Sequence, residues 1–494
     1  MLFNSINFII FFPVVALVYF AIPKKVRHLW LLLASYFFYM CWNAKYAALL
    51  FYSTAVTYAS GLLIDGCDRK GKPEKRKKFY VGLSFAMNLS LLFLFKYFDF
   101  AVDNINFILA RCHLQLSVPK FDLLLPVGIS FYIFQALSYT MDVYRKDIYV
   151  ERNFLKYALF VSFFPQLVAG PIERSKNLLK QIGKEHVFSY EDFRRGLLVM
   201  LWGYFQKIVI ADRIGILVDT VYGSPGDYQG AYYLLASVLF AIQIYCDFSG
   251  YSLIAVGAAQ VMGFRLMENF DCPYFAKSVA EFWRRWHISL TSWFRDYLYI
   301  PLGGNRKGTA RKYVNIMIVF LVSGLWHGAQ WTYVVWGGLN GLFQVVGSLM
   351  MPLRERAAKA FDVKEDSLGH KFLKTAVTFV LVDFTWIFFR AESMSDALHI
   401  IKSIFTVYNP WIFLNNSIYK LGLTQKQFHL LVFSLAVLLI ADWMKYKNIN
   451  FMDKLLEQNI WCRWPVYILG ILFVLIFGIW GNAYDAQAFV YFQF

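Results

Sequence analysis

Charged side chains are scarce in this chain. They make up 16% of its 494 residues, where a soluble domain carries about a quarter. That shortage excludes a solvated globular surface over most of the length. Cysteine is scarce as well, with six residues at 41, 67, 112, 246, 272 and 462 and no CxxC pair. Such spacing builds neither a disulfide framework nor a zinc site, so no metal is expected. The N-terminal apolar run lacks a preceding basic region and a small-residue cleavage site. It is expected to be a retained span.

What the chain has instead is apolar and aromatic: 59% hydrophobic and 20% aromatic residues. Apolar runs long enough to cross a hydrocarbon core recur throughout, roughly 11 to 13 of them. Pro, Gly and single charges interrupt some, which points to helices that break inside the protein. The net charge of +17 raises the question of nucleic acid. Its location argues for the lipid bilayer as partner and against nucleic acid. Arg69, Lys70, Lys72, Lys75, Arg76, Lys77 and Lys78 crowd one short loop between apolar runs, the pattern of a cytoplasmic loop.

The basic loops give a topology. Spans at about 8–22, 29–42 and 47–64 put Lys24, Lys25 and Arg27 on the same side as the 69–78 loop when the N-terminus is outside. A span at 80–98 then leads to an outer loop with Asp99, Asp103 and Arg111, and a span at 121–141 returns. The run 154–171 has basic flanks at both ends and is expected to re-enter and leave on the cytoplasmic side. Spans at 196–218 and 231–262 follow. The segment 265–312, with Lys277, Arg284, Arg285, Arg295 and Arg306, is expected at the cytoplasmic face. The apolar stretch 313–351 reads as a helical hairpin, and further spans lie near 372–389, 430–443 and 467–480.

Within that hairpin stands His327, in Gly324-Leu325-Trp326-His327-Gly328. It lies 14 residues past Tyr313, about 21 Å along a helix. An ionisable group at this depth faces protein or a water-filled cavity, and imidazole suits proton transfer near neutral pH. Packing and chemistry are both open readings from the residues alone. Gly324 and Gly328 offer close approach to another backbone or a thin acyl chain. Trp326 and Trp331 are expected to wall a cavity.

A second histidine, His287, sits in Glu281-Phe282-Trp283-Arg284-Arg285-Trp286-His287-Ile288-Ser289-Leu290. Read as one helix, the stretch puts Trp283, His287, Leu290 and Phe294 on a shared face. An interfacial amphipathic helix with His287 as packing is the reading the residues alone favour. Asp247-Phe248-Ser249-Gly250-Tyr251 places a carboxylate in an apolar segment, either at a helix-breaking turn or as an orienting partner for a histidine. The run Gly303 to Gly308 lacks Walker spacing and reads as a basic loop.

Together these motifs, with Val168-Ala169-Gly170-Pro171-Ile172-Glu173-Arg174, Asn269-Phe270 and Trp326-His327-Gly328, resemble the membrane-bound O-acyltransferase family. The resemblance covers most of the chain. The run from Arg295 to Arg306, with its Pro-Leu-Gly-Gly-Asn-Arg ending, is similar to the branch that O-acetylates alginate, peptidoglycan and other envelope glycans. The resemblance implies an all-α polytopic membrane protein with helices and re-entrant segments around a central tunnel. It implies one membrane domain over residues 1–494, with a motif-dense core at about 154–350. His327 falls on the family's catalytic histidine and His287 on its companion. Trp283, Arg284, Arg285, Trp286, Asp247, Ser249 and Trp326 become candidates for the tunnel or the donor side. The resemblance further implies acetyl-CoA as donor substrate with no bound cofactor, the bacterial cytoplasmic (inner) membrane, and an SGNH-type acetyltransferase partner outside. Tyr491 is either an acyl carrier near the chain end or an aromatic interface anchor.

Three other readings remain: D-alanyl transfer to teichoic acid, a transporter or flippase of acyl groups, and an inactive scaffold. A transporter predicts an internal repeat, and the two halves show no convincing similarity.

Overall fold

A computed structural model describes residues 1–114, 116–168, 170–364 and 366–480. Among them every long element is a helix and no strand occurs. Six helices have the length and apolarity of a membrane span: Ala44–Arg69, Glu74–Arg111, Ala231–Val261, Leu368–Arg390, Gln425–Tyr446 and Ile460–Phe477. A bent pair, Trp331–Leu349 with Met351–Ala360, makes a seventh. The other apolar runs form shorter or interrupted helices. In lipid, helices satisfy their own backbone, which is why an apolar chain of this kind takes that form.

Contacts divide the chain into two compact units. The first comprises Met1–Met200 with Ser252–Met267. Its helices are joined by buried polar side chains, which bind helices together where apolar packing against lipid gives little preference. Ser53 donates to Asn88 at 2.6 Å, Ser84 and Thr140 lie 3.2 Å apart, and Tyr157 donates to Thr57 at 2.7 Å. The run 154–171 is indeed broken: Phe154–Ser162 ends, Phe163 turns the chain, and Phe164–Leu167 resumes. The freed backbone groups find partners. Gln135 and Gln166 both donate to the Phe160 carbonyl, and the Phe164 N–H donates to Ser35.

The loop expected around Asp99 and Asp103 is helical instead. Glu74–Leu92 passes through a wider-turn segment, Phe93–Tyr97, into Phe98–Arg111. The following helix starts at Ile129 rather than near 121, because Pro126 precedes it and Gly128 enters with φ +74°.

The second unit comprises Leu201–Tyr251 and the chain from Glu268 onward. It carries His287 and His327. The expected hairpin is present as Thr309–His327 and Trp331–Leu349. Gly324 and Gly337 let the two backbones touch. A Cβ on Gly324 would clash with the Tyr333 carbonyl, and one on Gly337 with the Phe320 carbonyl. The close approach at Gly324 is therefore to a backbone and not to an acyl chain. At Gly328 the space is filled by the Tyr333 ring.

Candidate functional site

The helix expected through 281–297 is in fact two. Val279–Arg285 stops, Trp286 is extended, and His287 adopts a left-handed conformation with φ +43° before Ile288–Phe294 begins. A non-glycine residue in that region is uncommon and persists only where its surroundings hold it. Here Asn269 supplies the hold. Its backbone carbonyl accepts from the Ile288 N–H at 2.9 Å and its side-chain oxygen from the Ser289 N–H at 3.3 Å. The Asp271 N–H donates to the Arg285 carbonyl at 3.0 Å. The segment 269–271 thus fastens both sides of the break and gives the new helix start its acceptors.

The break turns the His287 ring inward, where it is fully buried. It packs edge-on against Phe248 at 4.6 Å and lies 3.5 Å from the Ser289 hydroxyl through Nδ1. His327 is the last residue of Thr309–His327, about 27 Å along that helix from its start. It therefore sits where the hairpin turns rather than midway along a rod. It is 3% exposed. Trp326 joins the two histidines, with ring centroids 4.9 Å from His327 and 6.0 Å from His287.

An aromatic wall surrounds His327. Trp336 stands 5.0 Å away and Phe389 5.5 Å away, both near-perpendicular. Trp386 stacks on Trp336 at 5.7 Å. Trp331, expected in this wall, is 56% exposed at the hairpin turn. Beneath lies a polar network. The Trp283 indole N–H donates to Asn340 at 3.1 Å, and Asn340 donates to the Trp336 carbonyl at 2.9 Å and to Thr385 at 3.1 Å.

The structure separates the other candidates. Trp283 and Trp286 are buried beside the histidines, and Trp286 packs 5.1 Å from Trp386. Arg284 is exposed. Arg285 is fixed by Glu281 and Asp271, each at 3.0 Å, and braces the break. Asp247 lies inside the unbroken helix Ala231–Val261, so no turn forms there. Its carboxylate is ion-paired with Lys207, which also holds Asp212 at 2.8 Å; Lys207 and Asp247 are buried, and the Asp212 side chain is 6% exposed. That pairing gives Asp247 the task of neutralising a buried cation. Ser249 is buried on the same helix. Tyr491 lies outside the described residues.

The comparisons with known proteins now bear on this site. Residues 145–381 match the family model described as membrane-bound O-acyltransferase family. The chain is 38% identical to a probable alginate O-acetylase of Pseudomonas putida, over 83% of this chain and 81% of that protein. The chain belongs to the membrane-bound O-acyltransferase family. It is also 36% identical to the probable alginate O-acetylase of Pseudomonas aeruginosa, over 91% of this chain and 82% of that one. With a peptidoglycan O-acetyltransferase of Helicobacter pylori it shares 35% identity, over 82% and 80%. The chain is therefore an acyltransferase and a multi-pass membrane protein, and the transporter and scaffold readings fall away.

Two residues of this acyltransferase's site escaped sequence reasoning. Trp336 and Trp386 are each 1% exposed, and neither indole N–H has an acceptor among the described residues. A buried donor without a partner costs about 1–3 kcal/mol. In a binding site, that cost is recovered when a ligand carbonyl arrives. Their signal in the sequence was only their spacing from His327, which does not distinguish them from packing tryptophans.

Proposed function

We propose that this acyltransferase takes an acetyl group from cytoplasmic acetyl-CoA and delivers it across the inner membrane for O-acetylation of an extracytoplasmic polysaccharide. Alginate and peptidoglycan are the leading acceptors, since relatives of each kind align over most of the chain. An SGNH-type partner outside would complete the transfer. The observation that carries the reading is His327 at the hairpin turn, joined to His287 through Trp326.

In this reading His327 is the general base. An acceptor hydroxyl oxygen attacks the thioester carbonyl while its proton passes to His327. The C–S bond breaks, and the CoA thiolate leaves and takes up the proton that His327 returns. His287 positions the thioester. The Trp336 and Trp386 indole N–H groups are suited to receive the developing oxyanion.

The test uses membranes containing the chain, with radiolabelled acetyl-CoA and, in parallel, D-alanyl carrier protein. Label transfer from acetyl-CoA, lost in His327→Ala at normal protein level, is the expected result. Transfer of D-alanine without transfer of acetyl would replace the acetyl reading with the teichoic acid one.

A further inference from the structure

The first unit contains a cavity remote in sequence from the histidines. Its wall includes Tyr19, Lys24, Arg27, His28, Lys184 and His186, with Glu185 at one side. Three cations and one carboxylate leave an excess of positive charge even with both histidines neutral. Lys24 is paired with Glu185 at 2.7 Å. Arg27 and Lys184 have no carboxylate within ion-pair distance among the described residues.

Arg27 is held chiefly by backbone carbonyls, with the Tyr19 side chain beside it. Its Nε donates to the Ile22 carbonyl at 3.3 Å, Nη1 to that of His186 at 2.6 Å and Nη2 to that of Phe20 at 3.1 Å. Its carbon Cζ lies 5.1 Å from the Tyr19 ring centroid. Three of its five N–H donors go to these carbonyls. The carbonyls fix the guanidinium in place without neutralising it. A rigid, uncompensated cation in a wall is a preorganised anion site, and a guanidinium suits a phosphate geometrically.

The flanking helices say which phosphate. Lys24 and Arg27 lie at the junction of Ile6–Ala21 and Arg27–Met40. Ile10, Val14 and Leu17 run along the exposed side of the first helix, and Leu29, Leu33 and Phe37 along that of the second. These apolar residues continue from the cationic cavity down faces left open to lipid. A free phosphate would use the cavity only. A molecule with an anionic head and acyl chains would use both.

We propose that this cavity holds the headgroup phosphate of an anionic phospholipid, whose chains lie along the outer faces of Ile6–Ala21 and Arg27–Met40. Entry of the phosphate displaces Glu185 from Lys24. Lys184 closes over the bound headgroup, and Arg27 forms the floor.

The test is native mass spectrometry of the delipidated full-length chain in detergent, with phosphatidylglycerol, phosphatidylcholine or inorganic phosphate added. The wild type should retain one phosphatidylglycerol in preference to phosphatidylcholine. The double variant Lys24→Ala/Lys184→Ala should weaken that retention about thirtyfold, at about 1 kcal/mol per cation. Lys75→Ala/Lys78→Ala removes the same charge from the exposed start of helix Glu74–Leu92 and should change retention less than twofold. Lys184→Glu, a single change at an exposed position, gives the same reading if the double variant does not fold. Equal retention by the pocket variants and the wild type would overturn the proposal. So would equal loss in the Lys75→Ala/Lys78→Ala control, or displacement of the lipid by millimolar inorganic phosphate.

Discussion

Asn340→Leu tests whether the polar network under the histidines holds the site together. Asn340 is fully buried, and its side chain makes three hydrogen bonds: one accepted from Trp283 and two donated, to the Trp336 carbonyl and to Thr385. Leucine has the same number and branching of side-chain heavy atoms, so no cavity forms. The Trp283 indole N–H is left buried without an acceptor, at about 1–3 kcal/mol. Thr385 still donates to the Val382 carbonyl at 2.8 Å and loses only an incoming bond, at about 0.5–1 kcal/mol. The expected loss is about 3 kcal/mol. Thr385→Val, which removes one partner of the network, should lose about 1 kcal/mol. Reversible unfolding in mixed detergent–SDS micelles measures both. Near-ultraviolet circular dichroism follows Trp283, whose ring meets Trp336 at 5.6 Å and 73°. A loss below about 0.5 kcal/mol for Asn340→Leu, the range of a surface substitution, with an unchanged aromatic spectrum, would refute the account.

Four further outcomes are expected. His327→Ala should lower acetyl transfer by about 10²–10⁴-fold with the melting temperature retained; activity within threefold of wild type would remove its catalytic role. Trp336→Phe keeps an aromatic ring but loses the N–H donor, and kcat should fall about 10²-fold with little change in KM; a rise in KM alone would make Trp336 a substrate-binding residue and not an oxyanion donor. Asn269→Ala should release the His287 backbone, lowering activity and stability together, by about 1–2 kcal/mol for the lost side-chain bond; an unchanged unfolding midpoint would show that the left-handed turn holds itself. Glu173 is buried in the segment after the 154–171 break, and burial raises its pKa from 4.5 to about 7 despite bonds from the Met267 N–H and Asn177. Folded chains then keep this proton up to about pH 7, while unfolded ones release it near 4.5. Stability from this group is full below pH 4.5 and is lost as pH rises to 7, about 3 kcal/mol in all. Glu173→Gln should flatten the pH profile of thermal unfolding between pH 5 and 8, and an identical slope in the variant would contradict it.

Much of the fold was legible because a bilayer imposes simple rules. The long helices Ala47–Arg69 and Ala231–Val261 follow directly from apolar runs bounded by charge. His327 was legible as an ionisable residue in such a run. The break at His287 was not: no Gly or Pro marks it, and it exists because Asn269, 18 positions earlier, ties the backbone from outside the local sequence. Asn340 was missed for the same reason, since its partner Trp283 lies 57 positions away. Asp247 was seen, but its ion pair with Lys207 was not. Its partner Lys207 sits in the wider-turn segment Phe205–Ala211, within an apolar run that local periodicity reads as an ordinary span. Periodicity reports which face of an element is buried; it does not report what that face meets.

The hairpin also sets a problem of timing during synthesis. Its two helices are in backbone contact at Gly324 and Gly337, so they enter the bilayer as a pair. The turn 328–330 carries amide and carbonyl groups outside any helix and adjoins an imidazole. In bare lipid each unsatisfied group costs several kcal/mol. Part of the cover for His327 is Phe389, and Trp386 backs Trp336; both belong to Leu368–Arg390. Phe389 is made 62 residues later, roughly 3–12 s at ribosomal speed. During that interval the tip must be sheltered by something other than its final neighbours, and a nascent chain stalled before residue 386 should remain bound to the insertion machinery.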